Sequence, residues 1–348
     1  MDFEKLNSLT APLCNESMQA ARAKWNHVAK PLGSLGRFEE IVTQIAGIHE
    51  TPDVHIDKKG VLVLCGDNGV LAQGVAMTPG EVTAIMAGFI ADGRSSVCRM
   101  AEIAGADVFA VDMGMFRRIN AEKLIDRRVS DGTNDFTNGA AMTGEQAEQA
   151  LNTGIDLVKN RAGQGYKILA TGEMGIGNTT TSSAIASVLL GRDPQEVTGR
   201  GVGLSEDGLA RKIAAVKKAV LVNSPDKNNA LDVLQKLGGF DIAGLTGIFI
   251  GGAIYRIPIV IDGFISSVSA LLASKLCPRV MDFIFPSHLS AEPAGRMVLN
   301  ALGLDPLITA EMRLGEGTGA VCMFPLLDMA LSVYHTACTY ADIEKKTG

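Results

Sequence analysis

The chain has 348 residues, is 47% hydrophobic and 20% charged, and carries 39 glycines and a formal net charge of −6. That length suits one large core with a smaller one beside it, and the composition is that of a packed α/β protein, not a disordered or fibrous chain. Scattered Lys and Arg residues exclude a nucleic-acid footprint.

The six cysteines stand far apart, with no CxxC and no His at ligand spacing. Free thiols in a reducing cytoplasm follow, and a zinc or iron–sulfur site is disfavoured. The first residues, MDFEKLNSLT, carry two acids and no apolar signal core, so the chain reads as soluble and cytoplasmic.

Residues 1–57 read as helical, with Thr10 or Asn15 capping a segment that runs to Val28 and a second apolar periodicity over 35–48. KPLGSLGR at 30–37 is a tight connection between them. From residue 60 the texture changes to short buried strands alternating with helices. The best strands are 61–65, 108–112, 167–171, 258–262 and 280–285, compact apolar runs that mostly end at Gly, Asp or Pro. Such runs predict a parallel sheet covered on both faces.

Ligands of such sheets bind beyond the carboxyl ends of the strands, which here are Gly-rich or polar at 66–69, 172–173 and 262–263. The most apolar stretch, 242–273, is broken by Arg256, Pro258 and Asp262; it reads as helix, strand, helix and not as a membrane span. After Pro286 the chain reads as mostly helical to Lys346, interrupted at 315–319. The two helical ends are expected to pack together, giving a large α/β domain over 59–287 and a small helical one from 1–58 plus 288–348.

The segment ILATGEMGIGNTTTSSAI at 168–185 is the most informative. A strand ends at Glu173, and Gly175 and Gly177 then lead into Asn178, Thr179, Thr180 and a helix. Free backbone N–H groups and the helix dipole suit a phosphate there. The string is neither a Walker loop nor GxGxxG, so it reads as a monophosphate or sugar-phosphate cradle; a Thr-capped strand-to-helix turn is the plain alternative.

Glu316 lies between glycines in MRLGEGTGA, where the backbone can approach a ligand closely and a desolvated carboxylate suits a general base. A solvated acid on a flexible loop fits the same residues. A second Gly-rich turn at 198–205 precedes a helix from Glu206 to Val222. Its Lys212 can reach a phosphate or lie on a basic outer face. His288 and its neighbouring serines lack a GxSxG elbow, so they bond to ligand or backbone. Asp262, at a buried strand end, is a functional candidate because an unpaired buried carboxylate is costly. No acidic cluster points to catalytic Mg²⁺, and the aspartate-rich signature of ordinary phosphoribosyltransferases is absent.

Seven ordered strings, KPLGSLGR, GDNGV at 66–70, TGEMGIGNTT at 171–180, GGFDIAGLTG at 238–247, IDGF at 261–264, PSHLSAE at 286–292 and RLGEGTGA at 313–320, resemble one family over nearly the whole chain. It is the nicotinate-nucleotide:dimethylbenzimidazole phosphoribosyltransferases. The resemblance implies a Rossmann-like sheet with a smaller helical domain, and a dimer with active sites near the interface. It implies nicotinate mononucleotide and an aromatic base as substrates, with no cofactor and no metal.

By that resemblance Glu316 is the general base and Glu173 an acid beside base and ribose. Gly175, Gly177, Asn178, Thr179 and Thr180 form the phosphoribosyl cradle, with Lys212, Ser290 and Asp262 as further contacts. Gly203, Arg313, Gly315 and Gly317 are placed with them, and Thr78, Met86, Met174 and Leu314 around the aromatic base.

The sequence departs from the family where the base should lie. The usual DHG is Asp67–Asn68–Gly69, Met86 replaces Gln, Thr78 replaces Ser and Met174 replaces Leu. Loss of an amide and gain of two methionines gives a softer, more apolar slot. These changes look like the family's branch that attaches phenol or p-cresol, some members of which work as heterodimers of related chains. Neutral drift in a plastic pocket is the alternative. A Rossmann oxidoreductase lacks its fingerprint here, and a non-catalytic partner subunit fits poorly with intact Glu173, Glu316 and TGEMGIGNTT.

Overall fold

The computed structural model describes residues 3–201 and 203–347, so Val202 of the second Gly-rich turn and the terminal Met1, Asp2 and Gly348 lie outside the described residues. Helices α1 (Phe3–Ser8), α2 (Asn15–His27) and α3 (Arg37–His49) precede strand β1 (Lys59–Gly66). Next come α4 (Glu81–Ala91), α5 (Ser96–Ala104), β2 (Ala106–Gly114), β3 (Ile125–Asp126), α6 (Gly144–Gly163) and β4 (Ile168–Met174). Helices α7 (Asn178–Leu190), α8 (Pro194–Val197), α9 (Glu206–Asn223), α10 (Ala230–Leu237) and α11 (Phe240–Tyr255) lead to β5 (Ile259–Ile261). The chain closes with α12 (Phe264–Leu276), β6 (Ile284–Pro286), α13 (Gly295–Leu302), α14 (Thr318–Thr336) and α15 (Tyr340–Thr347).

The six strands form one parallel sheet in the order β3-β2-β1-β4-β5-β6. This is the Rossmann order, in which the chain reverses direction between β1 and β4 and leaves a crevice beyond their carboxyl ends. Every residue of β1 is buried, as a central strand covered on both faces requires. Its register sets Leu64 beside Glu173 and Cys65 beside Met174, so both strands end at the same level.

Small residues let the covering helices come close. A Cβ on Gly154 of α6 would lie 2.0 Å from the Gly244 carbonyl of α11, and one on Gly247 would lie 2.0 Å from the Leu151 carbonyl. These two backbones touch directly. Helix α6 begins with a full capping box between Thr143 and Gln146, while α11 is buried from Phe240 through Ala253. The apolar stretch 242–273 is thus the expected helix, strand and helix. Among the described residues no helix is long and apolar enough to cross a membrane.

Three local expectations are corrected. The expected strand 280–285 is mostly a 3₁₀ turn, Pro278–Phe283, and only Ile284–Pro286 pairs in the sheet. Pro278 starts that turn, and Val280 and Phe283, three apart, both point inward as 3₁₀ geometry dictates. Helix α2 is not capped by Thr10 or Asn15. Asn15 is its first residue after Cys14, and the Thr10 hydroxyl instead donates to the Asn7 carbonyl at 2.8 Å. Beyond Pro286 the chain is less helical than expected: 287–294 and 303–317 are irregular, broken by Pro293, Gly303 and Pro306.

The ends of the chain meet. Trp25 and Tyr334 stack obliquely with ring centroids 4.8 Å apart, and the Ala29 N–H donates to the Cys338 carbonyl at 2.8 Å. Helix α14 also lies on β4 and α5, which brings its N-terminus to the sheet's ligand end.

Candidate active site

A cavity of about 330 Å³ lies beyond β1, β4 and β5. Its floor is the β4–α7 turn. Gly175 can only be glycine, since a Cβ would come within 2.4 Å of the Gly66 carbonyl and 2.8 Å of Asp241 Oδ2. Gly177 takes φ 99° and stands just before α7, leaving the first N–H groups of that helix without side-chain caps. Uncapped N–H groups at a helix N-terminus favour an anion.

Thr179 lines the cavity, and its hydroxyl accepts from Lys212 Nζ at 2.9 Å; the Gly199 carbonyl accepts from the same ammonium at 3.1 Å. Lys212 is 1% exposed, and burial pulls its pKa down to about 8. It therefore sits inside the molecule with neutral oxygens as partners, not on a basic outer face. A phosphate dianion beside it would favour the charged form.

Glu173 is the next-to-last residue of β4, with its side chain in the cavity. The Asn178 amide donates both to Glu173 Oε2 and, at 2.9 Å, to Asp241 Oδ2. Burial raises the Glu173 pKa to about 8, aided by the charges of Asp241, Asp262 and Glu316 and opposed by the Asn178 hydrogen bond. Asp241, at the start of α11, is raised to about 6, mainly by burial.

The loop bearing Glu316 lies across this strand end. Gly315, Glu316 and Gly317 all have positive φ, at 92°, 60° and 92°. A left-handed Glu between two left-handed glycines is strained backbone, of the kind found where a side chain must be aimed. The loop rests on Gly172, whose Cβ would lie 2.4 Å from the Glu316 carbonyl. Glu316 is 6% exposed, lines the cavity, and accepts from the Val97 N–H at 3.3 Å, near the N-terminus of α5. A helix N-terminus stabilises negative charge.

Asp262 is not unpaired. Its carboxylate accepts from the N–H groups of Gly317 at 3.2 Å, Gly319 at 2.8 Å and Ala320 at 3.1 Å, so it caps α14 and anchors the Glu316 loop. Burial nevertheless raises its pKa to about 7, against the pull of those three donors. Asp262 lines the cavity as well.

Thr78, Met86, Met174 and Leu314, expected around the aromatic base, all line the cavity, as do Arg313, Gly315 and Ser290. Five residues expected at the site stand just outside it. Gly177 and Gly317 shape its turns, Lys212 lies behind Thr179, and Thr180 is fully buried with its hydroxyl unpaired. Gly203 is off the cavity; Gly201, two residues earlier, lines it instead.

Asn68 is also displaced from the expected base pocket. It is buried behind α7, accepting from the Thr181 hydroxyl at 3.1 Å, and does not line the cavity. Sequence reasoning missed Val82, Ile176, Phe264, Ile265, Ser266 and Glu292 on the cavity wall. Val82 stands four residues before Met86 on the same face of α4, a spacing that could have revealed it.

For a metal, the described residues offer one His/Asp grouping, Asp53, His55 and His335, which does not line the cavity. Its two imidazoles are stacked 7° from parallel at 4.8 Å, so their in-plane lone pairs do not converge on a common ion.

Residues 10–344 match the family model DBI_PRT, described as phosphoribosyltransferase. This chain belongs to that family. It is 45% identical over 342 residues to the nicotinate-nucleotide–dimethylbenzimidazole phosphoribosyltransferase of Acetivibrio thermocellus, covering 98% of this chain and 97% of that one. The Escherichia coli (strain K12 / DH10B) protein of the same name is 40% identical over 331 residues, covering 95% and 92%. The crystal structure of CobT from Thermus thermophilus superposes with a TM-score of 0.89 at 36% identity, covering 94% of this chain and 98% of that one. The expected activity class and parallel-sheet architecture hold.

Proposed function

We propose that this chain transfers the phosphoribosyl group of nicotinate mononucleotide to an aromatic base, with inversion at C1′, giving an α-ribotide for the lower ligand of a cobamide. The observation that carries the reading is that Glu316 and the N-terminus of α7, which has no side-chain cap, face one cavity through Glu316, Asn178 and Thr179. The 5′-phosphate would lie on the α7 amides beside Lys212, which puts C1′ toward the strand ends and the carboxylates.

Nicotinate in its mononucleotide is a cationic pyridinium and leaves as a neutral ring, so neither metal nor strong acid is needed to expel it. The incoming base attacks C1′ from the opposite face through an oxocarbenium-like state. Glu316 takes the proton of the nucleophile and, with its negative charge, stabilises the developing cation. Glu173, whose carboxyl burial raises to about 8, can in its protonated form donate a hydrogen bond to the base or ribose.

We further infer that the acceptor slot admits phenols. Met86 and Met174, with Val82 and Leu314, make its wall apolar and deformable, and a phenol has no second heteroatom to leave unpaired. Activity is expected from a dimer, of this chain or with a related one. Met77, Ile85, Phe89 and Phe116 are exposed apolar side chains, three of them on the segment 77–89 that also lines the cavity.

The test is product analysis by mass spectrometry of the purified chain with nicotinate mononucleotide and a mixture of dimethylbenzimidazole, phenol and p-cresol. α-Ribotides of both base types support the reading. Benzimidazole product alone, with phenol inert at millimolar concentration, removes the phenolic part. No ribotide from the chain alone, and turnover only with a related partner chain, assigns the activity to a heterodimer.

A further inference from the structure

Four carboxylates line the cavity, and three of them are engaged. Glu173 takes the Asn178 amide, Asp262 takes three backbone N–H groups, and Glu316 takes that of Val97. Glu292 takes none among the described residues, and its Oε2 is buried without a hydrogen-bond partner. An acceptor with no donor is costly, and the carboxylate of Glu292, a residue of the cavity wall, can turn from its place against Gly199 to a donor on a bound molecule.

The position of this carboxylate is fixed by its neighbour. Oε2 lies over the bare Cα of Gly199, where a Cβ would come within 2.0 Å. The Gly199 carbonyl in turn holds Lys212 Nζ at 3.1 Å. Glu292 therefore stands at the Lys212 side of the cavity, on the same loop as the lining residues His288 and Ser290.

Nicotinate mononucleotide offers this carboxylate little choice. Its phosphate and its ring carboxylate are acceptors at neutral pH, and its strong hydrogen-bond donors are the two ribose hydroxyls. A carboxylate presents two acceptor oxygens, which matches two neighbouring hydroxyls. Lys212 beside it offsets the repulsion between Glu292 and the phosphate.

We propose that Glu292 binds the 2′,3′-diol of the nucleotide's ribose and sets a preference for ribonucleotides over deoxyribonucleotides. This rests on the phosphoribosyl-transfer reading above. Glu292 is a specificity residue for the donor substrate and takes no part in the proton transfer.

The experiment compares kcat and KM for nicotinate mononucleotide and its 2′-deoxy and 3′-deoxy forms, with one acceptor base, in the wild type, Glu292→Gln and Glu292→Ala. The wild type should lose about 10- to 100-fold in kcat/KM on removal of at least one hydroxyl. The two variants should lose a similar factor on the ribonucleotide, chiefly through KM, and treat ribo and deoxy forms alike within about threefold. Variants that keep the wild-type preference, or a wild type that does not distinguish the nucleotides, overturn the assignment even while transfer proceeds. A residue that only shapes its loop would lower all substrates equally and leave the preference intact. A wild type inert toward the ribonucleotide with every base overturns the transfer reading and this inference together.

Discussion

The backbone N–H of Glu316 donates to the carbonyl of Glu173 across 3.2 Å. One hydrogen bond therefore ties the loop of the proposed base to the strand that carries the second acid. Replacing Glu316 by Gln keeps the side chain's size and removes its basicity. Glu316→Gln should lower kcat by about 10²- to 10⁴-fold while nucleotide binding stays near wild type, as titration calorimetry with nicotinate mononucleotide would show.

Gly172 makes that arrangement possible, because a Cβ there would lie 2.4 Å from the Glu316 carbonyl. The Gly172→Ala variant should push the 315–317 loop off the strand. A displacement near 1 Å is enough to cost about a hundredfold in rate. A crystal structure of the variant should show the moved loop with the rest of the sheet unchanged.

Lys212 is buried beside Thr179 with no carboxylate in salt-bridge contact among the described residues. Lys212→Met fits the same space and removes the charge. KM for the nucleotide should rise roughly 10- to 100-fold with a smaller change in kcat, read from steady-state kinetics. The loss should be largest above pH 7, where the phosphate is a dianion.

Glu173, Asp262 and Asp241 have folded pKa values of about 8, 7 and 6, raised from ordinary values of 4.5, 3.8 and 3.8. Between the unfolded and folded values the folded chain holds more protons than the unfolded chain. Stability must therefore fall as pH rises through that window. The empty protein should melt at a higher temperature near pH 5 than at pH 8. Lys212, lowered to about 8 from 10.5, acts in the opposite sense between pH 8 and 10.5 and should flatten the curve there. Scanning calorimetry over pH 5 to 9 tests the slope, and Glu173→Gln should reduce it.

Asp262 holds three N–H groups at the head of α14. Asp262→Ala should destabilise the fold by about 2–3 kcal/mol, since it strands donors that were paired with a charge. Urea denaturation measures this, and the activity loss should exceed what stability alone explains.

Strand ends and glycine turns are legible in the sequence because their physics is local. A run such as 61–65 is apolar throughout because both faces of the central strand are covered, and Gly175 and Gly177 are required by the turn that they occupy. Partnerships across long separations are not legible. Asn178 binds Asp241 63 residues away, and Asp262 holds donors 55 to 58 residues on. Asp241 lies inside GGFDIAGLTG, yet nothing in that string tells that its carboxylate meets the β4–α7 turn. The two-residue β3 is too short to leave a pattern, and the 3₁₀ turn at Pro278–Phe283 is hidden because its inward Val280 and Phe283 also suit a strand. Glu292 escapes a reading of the sequence because only the folded chain reveals an acceptor with nothing to accept.

The bond between Asp262 and the head of α14 orders events during synthesis. Residues of β5 leave the ribosome well before 317–320 do, so the emerging sheet carries an acid whose donors have not yet been made. Until they arrive Asp262 has no helix to cap and the cavity lacks Glu316. All six strands are thus made before the proposed proton acceptor is delivered, and a chain halted there has no Glu316 to expose.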